Sequence, residues 1–224
     1  MSTTTNDAYL AGLNAFYAKS FGYLTIGMGL TTILSFLIYS VPALFAIASN
    51  PIVLIGCFIA LIVLAWKASP NKSASSAWAQ FLGFATLSAF VITPYAAMHT
   101  AANVTMAFSA AVITSAVAGL YGYTTKKDLS KWGGLLMIGF IAALIVMVIN
   151  MFIGSSLLSM GISLIVIPLY LFATAYDVQM LREMYDQQYG DSEKSLAIFG
   201  ALILYINIKG LFIHILNFLG VLND

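Results

Sequence analysis

Charged side chains are what this chain has least of: they make up 8% of it, against 61% hydrophobic residues and a mean hydropathy of +0.97. Soluble domains carry about 25% charged residues, so a water-soluble globular fold is excluded. A net charge of +1 gives no electrostatic reason to expect nucleic acid as a partner. The single cysteine, Cys57, excludes an intrachain disulfide. The ordinary catalytic signatures are also absent: no GxxxxGKT/S phosphate loop, no HExxH, no CxxC pair and no GxSxG elbow. There are two histidines, His99 and His214. Ser88 or Ser155 could be paired with one of them, but the Gly-rich serine context is lacking, which goes against intramembrane proteolysis. Both histidines read as interfacial hydrogen-bonding groups. No enzymatic activity, metal or other cofactor is expected. A cleaved signal peptide is not expected either, because the first apolar segment is too long and lacks a small-residue cleavage pattern.

What the chain does have is length of apolar run. Seven stretches of about 20 residues can be drawn, each able to cross a hydrocarbon core of ~30 Å as a helix. They cover residues 21–47, 51–66, 77–98, 104–123, 135–153, 160–178 and 196–222. The cations fall in alternate connections: Lys19; then Lys67 and Lys72; then Lys126, Lys127 and Lys131; then Arg182 and Lys194. The positive-inside rule therefore puts the N-terminus in the cytoplasm and the C-terminus, at Asp224, outside. Between the spans lie only short polar turns, so any chemistry belongs to the helix bundle or its rims. The lipid bilayer is the first partner implied.

Ionisable groups within membrane helices are costly and so mark functional candidates. Two qualify. Asp177 lies near the inner end of the sixth span, where it either serves the site or reaches cytoplasmic water. Lys209 lies about 20 Å into the seventh at 1.5 Å per residue, too deep for easy snorkelling, so it should face protein or a wet cavity. On the same helix Asn207, Gly210, His214 and Asn217 follow i, i+3, i+7, i+10 spacing and form a polar stripe. Lys209 points about 200° away from Asn207. Polar groups on both faces imply a helix surrounded by protein or water, although the stripe also fits simple interhelical hydrogen bonding.

Several segments carry a family resemblance. YGYTTKKDLS at 121–130 and TAYDVQ at 174–179 resemble signatures of the bacterial Bax inhibitor-1 family (transmembrane Bax inhibitor motif, or YccA/YetJ-like, membrane proteins). ALILYINIKGLFIHILNFLG at 201–220 and FYAKSFGYLTIGMGL near the start are similar to it too. The resemblance implies an all-α membrane protein with seven transmembrane helices, six around a central C-terminal helix. It implies a polar cytoplasmic tail over residues 1–15 and a single seven-helix domain over 16–224, in the plasma membrane of a bacterium. The family is associated with a pH-sensitive calcium leak whose sensor is a hydrogen-bonded pair of aspartates. Some members are linked instead to a membrane-bound AAA protease, FtsH.

This chain departs from that pattern at the sensor. The first aspartate corresponds to Asp177, whereas the second position is Asn207. Two carboxylates in contact titrate in coupled steps; an Asp–Asn pair keeps the hydrogen bond and loses the like-charge term. A family hydrophobic position is Lys209, its asparagine is Gly210, and the arginine that latches the sensor has only Lys67 nearby. Asp177, Asn207 and Lys209 are thus the expected sensor and ion-pathway residues, with weak conduction of Ca²⁺. The alternative is a non-conducting regulator that binds an FtsH-like protease. A retinal protein, suggested by a lysine midway along a seventh helix, is opposed by the resemblance and by the N-inside topology. Helix lengths put Asp177 and Asn207 at different depths, but the resemblance demands contact between them.

Overall fold

A computed structural model of the chain describes residues 3–188 and 190–223, so the expected outer end at Asp224 lies outside the described residues. Eight helices follow one another: α1 (Thr3–Ser40), α2 (Pro42–Ala48), α3 (Pro51–Trp66), α4 (Ala74–Ala96), α5 (Ala101–Thr124), α6 (Trp132–Ile153), α7 (Ser156–Asp186) and α8 (Glu193–Asn223). No strand occurs among the described residues. All but α2 and α3 are by themselves long and apolar enough to cross a membrane, which makes six. The short α2 and α3 meet at a 66° bend and together would make a seventh, broken span.

The first expected span is the one the structure redraws. An apolar run over 21–47 reads as one helix, yet it breaks at Val41 and Pro42. Proline has no N–H to donate back into α1, and its ring pushes the preceding residue out of the helical region; Val41 is extended at φ −107° and ψ 108°. Pro42 and Pro51 both open new helices, as proline does at a first turn, and Asn50 caps α3 by accepting from the Ile52 amide at 2.9 Å. At its other end α1 begins at Thr3, so much of the segment expected as a polar tail is helical.

Contacts divide the chain into two compact units, joined through α7 and α8, which contribute to both. The first holds the residues up to Ala97 together with Leu181–Tyr205. Here the polar start of α1 finds partners: Tyr9 donates to Asp186 and Lys19 pairs with Glu193, each at 2.6 Å. Phe16 packs on Tyr185 with ring centroids 5.1 Å apart. Deeper in, Tyr205 sits edge-on to both Phe81 and Phe84. Its hydroxyl lies 2.7 Å from Thr31 Oγ1, which also reaches the Ala85 carbonyl of α4 at 3.0 Å. Thr31 has one proton, so with that proton given to a carbonyl it accepts from Tyr205.

The second unit holds Met98–Met180 and the chain from Ile206 onward. Here α6 lies on α7 through Trp132 and Phe172, stacked at 5.5 Å, and through a cluster of Ala143, Ile162 and Val166 with Phe140 and Tyr170 against it. In the most apolar stretch of α6 only 6% of residues are buried, against 67% in α8. The first is what a lipid-facing helix requires, and the second fits the protein-surrounded last helix expected from its two polar faces.

Candidate functional site

The site grows from the segments of α7 and α8 that belong to the second unit, where the two helices run antiparallel. Residues spaced by seven on α7 meet the polar stripe of α8. Asn207 donates from Nδ2 to Asp177 Oδ2 at 2.7 Å. Gly210 lies under the Tyr170 ring, so close that any Cβ would overlap it. His214 Nδ1 is 3.2 Å from Ser163 Oγ, and Asn217 Nδ2 reaches Ser159 Oγ and Ser163 Oγ at 2.8 Å each. Every polar member of the stripe is thus engaged by α7, and the missing side chain at Gly210 makes room for the Tyr170 ring.

Asp177 is half-buried and Asn207 is 5% exposed. The amide N–H is a neutral donor, so a carboxylate at Asp177 is hydrogen-bonded without a second negative charge beside it. The depth mismatch between them narrows because α7 runs on to Asp186 and α8 starts at Glu193. Asp177 then lies about 14 Å from the end of its helix and Asn207 about 21 Å from the start of its own. Lys209 follows two residues later, partly buried and on another face of α8.

The turn that carries Asp177 is gripped from other sides as well. Gly122 of α5 faces the Ala175 backbone so closely that a Cβ would collide with the carbonyl. Gln179 holds the connection between α5 and α6: its Oε1 accepts from the Leu129 amide at 2.7 Å and its Nε2 donates to the Lys127 carbonyl at 2.8 Å. The two most distinctive sequence segments, around 121–130 and 174–179, are therefore tied to each other. Sequence reasoning missed Ser159, Ser163, Tyr170, Gln179 and Gly122. A signal existed for two of them: Ser163 and Tyr170 recur with Asp177 at seven-residue intervals on α7, matching the stripe on α8.

Of the serines weighed against the histidines, Ser155 caps α7 by accepting from the Leu158 amide at 3.2 Å, and Ser88 lies in the first unit. A serine not weighed there, Ser163, lies beside His214. It is fully buried and already accepts from Asn217, so it serves helix packing. Among the described residues no three His, Cys, Asp or Glu side chains converge as a metal site would need.

Sequence comparison with known proteins identifies the family. The family model described as inhibitor of apoptosis-promoting Bax1 matches residues 13–224. A protein of Deinococcus radiodurans is 30% identical over 215 residues, 95% of this chain and 93% of its own. Inner membrane protein YbhL of Escherichia coli K12 is 29% identical over 220 residues, 94% of this chain and 93% of its own. A membrane protein of Streptococcus pyogenes serotype M3 is 28% identical over 214 residues, 93% of each chain. With apolar helices of membrane-spanning length and a family match over nearly all its residues, this chain is a multi-pass membrane protein and belongs to the Bax inhibitor-1 family.

Proposed function

We propose that the protein is a cation leak of the Bax inhibitor-1 type in which calcium conduction is weak and the pH response is altered. The observation that carries this reading is the bond from Asn207 Nδ2 to Asp177 Oδ2, 2.7 Å long. It occupies the place where a two-aspartate relative shares a proton, and an amide cannot take that proton. Coupled titration of a carboxylate pair is thereby lost, and with it the two-step pH response of such a pair. Lys209 adds a cation to the same helix. A positive charge near a pathway repels Ca²⁺, which at an effective ε of about 20 costs several kcal/mol at short range.

Calcium flux into proteoliposomes at two pH values tests this. The native chain should leak weakly; Lys209→Ile should raise the flux; Asn207→Asp should make it more pH-sensitive; the double variant should do both. A native protein that already leaks strongly and ignores Lys209→Ile would sink the reading.

A second reading is favoured by the closure of the α7–α8 stripe, where Asn207, His214 and Asn217 all bond to α7. A regulatory protein that binds a membrane-bound AAA protease of the FtsH kind needs no pathway there. Crosslinking in native membranes should then recover such a protease, with no calcium flux in any of the four proteins.

A further inference from the structure

The seven residues between α5 and α6 carry Lys126, Lys127 and Lys131, all exposed, against one acid, Asp128. Exposed lysines alone make no site, but this connection is shaped. Thr125 Oγ1 accepts from the Lys127 amide at 3.2 Å, and Asp128 Oδ1 accepts from the Ser130 amide at 2.9 Å. Ser130 thereby holds the Asp128 carboxyl below the ordinary carboxylate range, and that carboxylate is turned onto the connection's own backbone. Leu129 is tucked in at 9% exposed, and Gln179 ties down the backbone on either side of Asp128. The Lys127 backbone is held at both its amide and its carbonyl, and all three lysines are exposed.

The depth of the connection is set by its neighbours. On the last turns of α5, Leu120 is 63% exposed and Tyr121 47%; on the first turns of α6, Trp132 is 42% exposed and Leu135 59%. In a membrane protein these apolar faces are covered by acyl chains, and exposed Tyr and Trp settle at the headgroup level. Lys131 immediately precedes Trp132, and Lys126 and Lys127 follow Tyr121 by five and six residues, past the end of α5. They therefore lie where lipid phosphates lie, with apolar stems able to run along the interface. A soluble acidic partner would have to reach down among headgroups to meet them.

We propose that the α5–α6 connection is a binding site for the headgroups of anionic phospholipids, with Lys126, Lys127 and Lys131 as the charge and Gln179 as the residue that positions it. The site depends on the chain being a membrane protein and is independent of whether it conducts calcium.

The test uses the native protein in nanodiscs of phosphatidylcholine alone or mixed with phosphatidylglycerol. Each lysine's rate of acylation by an amine-reactive ester is read by mass spectrometry, with exposed Lys194 as the internal reference. Phosphatidylglycerol should slow the three connection lysines about fivefold relative to Lys194, the ratio that one cation near an anionic surface is worth. Inorganic phosphate added to phosphatidylcholine discs should not. Gln179→Leu leaves every charge in place, and should cut that protection by half or more because the amines are no longer held together. Three results would overturn the proposal: slowing equal to that of Lys194, protection by inorganic phosphate alone, or full protection in Gln179→Leu. The first two are read on the unaltered chain and do not depend on the variant folding.

Discussion

Asn207 has a carboxylate to satisfy, and removing its amide should be felt in stability before function is considered. Asn207→Leu leaves Asp177 half-buried without the donor that reaches it at 2.7 Å. Leaving a polar group in such a place without its partner costs about 1–3 kcal/mol. Thermal unfolding in detergent should show that loss, and Asp177→Leu on top of it should recover a large part, because the stranded carboxylate is then gone. An unrecovered double variant would mean that Asn207 matters for something other than Asp177. Gly122 offers a second residue-scale test. Its α-carbon faces the Ala175 backbone, which cannot swing aside as a side chain tip can. Gly122→Val should destabilise by about 1–3 kcal/mol through overpacking. Gly134→Ala, with nothing within 4 Å of the added carbon, should be close to neutral apart from the helix preference for alanine. Equal effects of the two would refute the close approach.

At the scale of the helix, hydropathy and punctuation made most elements legible. The bounds of α3 agree at both ends with the apolar run over 51–66, because Asn50 and Pro51 start it and Lys67 stops it. The cap can be tested: Asn50→Ala removes the acceptor for the Ile52 amide and should cost about 1 kcal/mol, seen as a lowered unfolding midpoint. The start of α1 was not legible, because an apolar count cannot see that Tyr9 and Lys19 have partners at Asp186 and Glu193, more than 170 residues away. The break at Val41 was legible in Pro42 and was overridden by the apolar residues on both sides. At the site, the approach of Asp177 to Asn207 followed from family resemblance; helix lengths alone opposed it. The α7 side of the stripe was readable in principle from its seven-residue repeat. The Gln179 fork was not, because it depends on the path of a loop.

For the whole molecule, the open quantity is the number of crossings, and its parity decides where the chain ends. Six crossings would leave both termini on one side; a broken α2–α3 span would make seven and separate them. The cations favour seven, since only then do Lys19, Lys67 and Lys72 share a side. With Cys57→Ser removing the native thiol, a cysteine in place of Leu222 should react with an impermeant reagent applied outside intact cells. One in place of Ser69 should react only after lysis. Labelling of the Leu222 position only after lysis would overturn the orientation.

The proline-broken pair also bears on how the protein is made. At 16 residues α3 is about 24 Å long, short of a core of ~30 Å, and α2 meets it at an angle of 66°. It is uncharged throughout but too short to commit itself as a straight rod. As it leaves the ribosome, its direction of entry rests on Lys67 and Lys72, which immediately follow, and on the arrival of α4. Every later helix inherits that choice. If the pair makes the seventh crossing, the side of the membrane on which the Asp177 end of α7 lies follows from cations, Lys67 and Lys72, translated more than 100 residues before Asp177 itself exists.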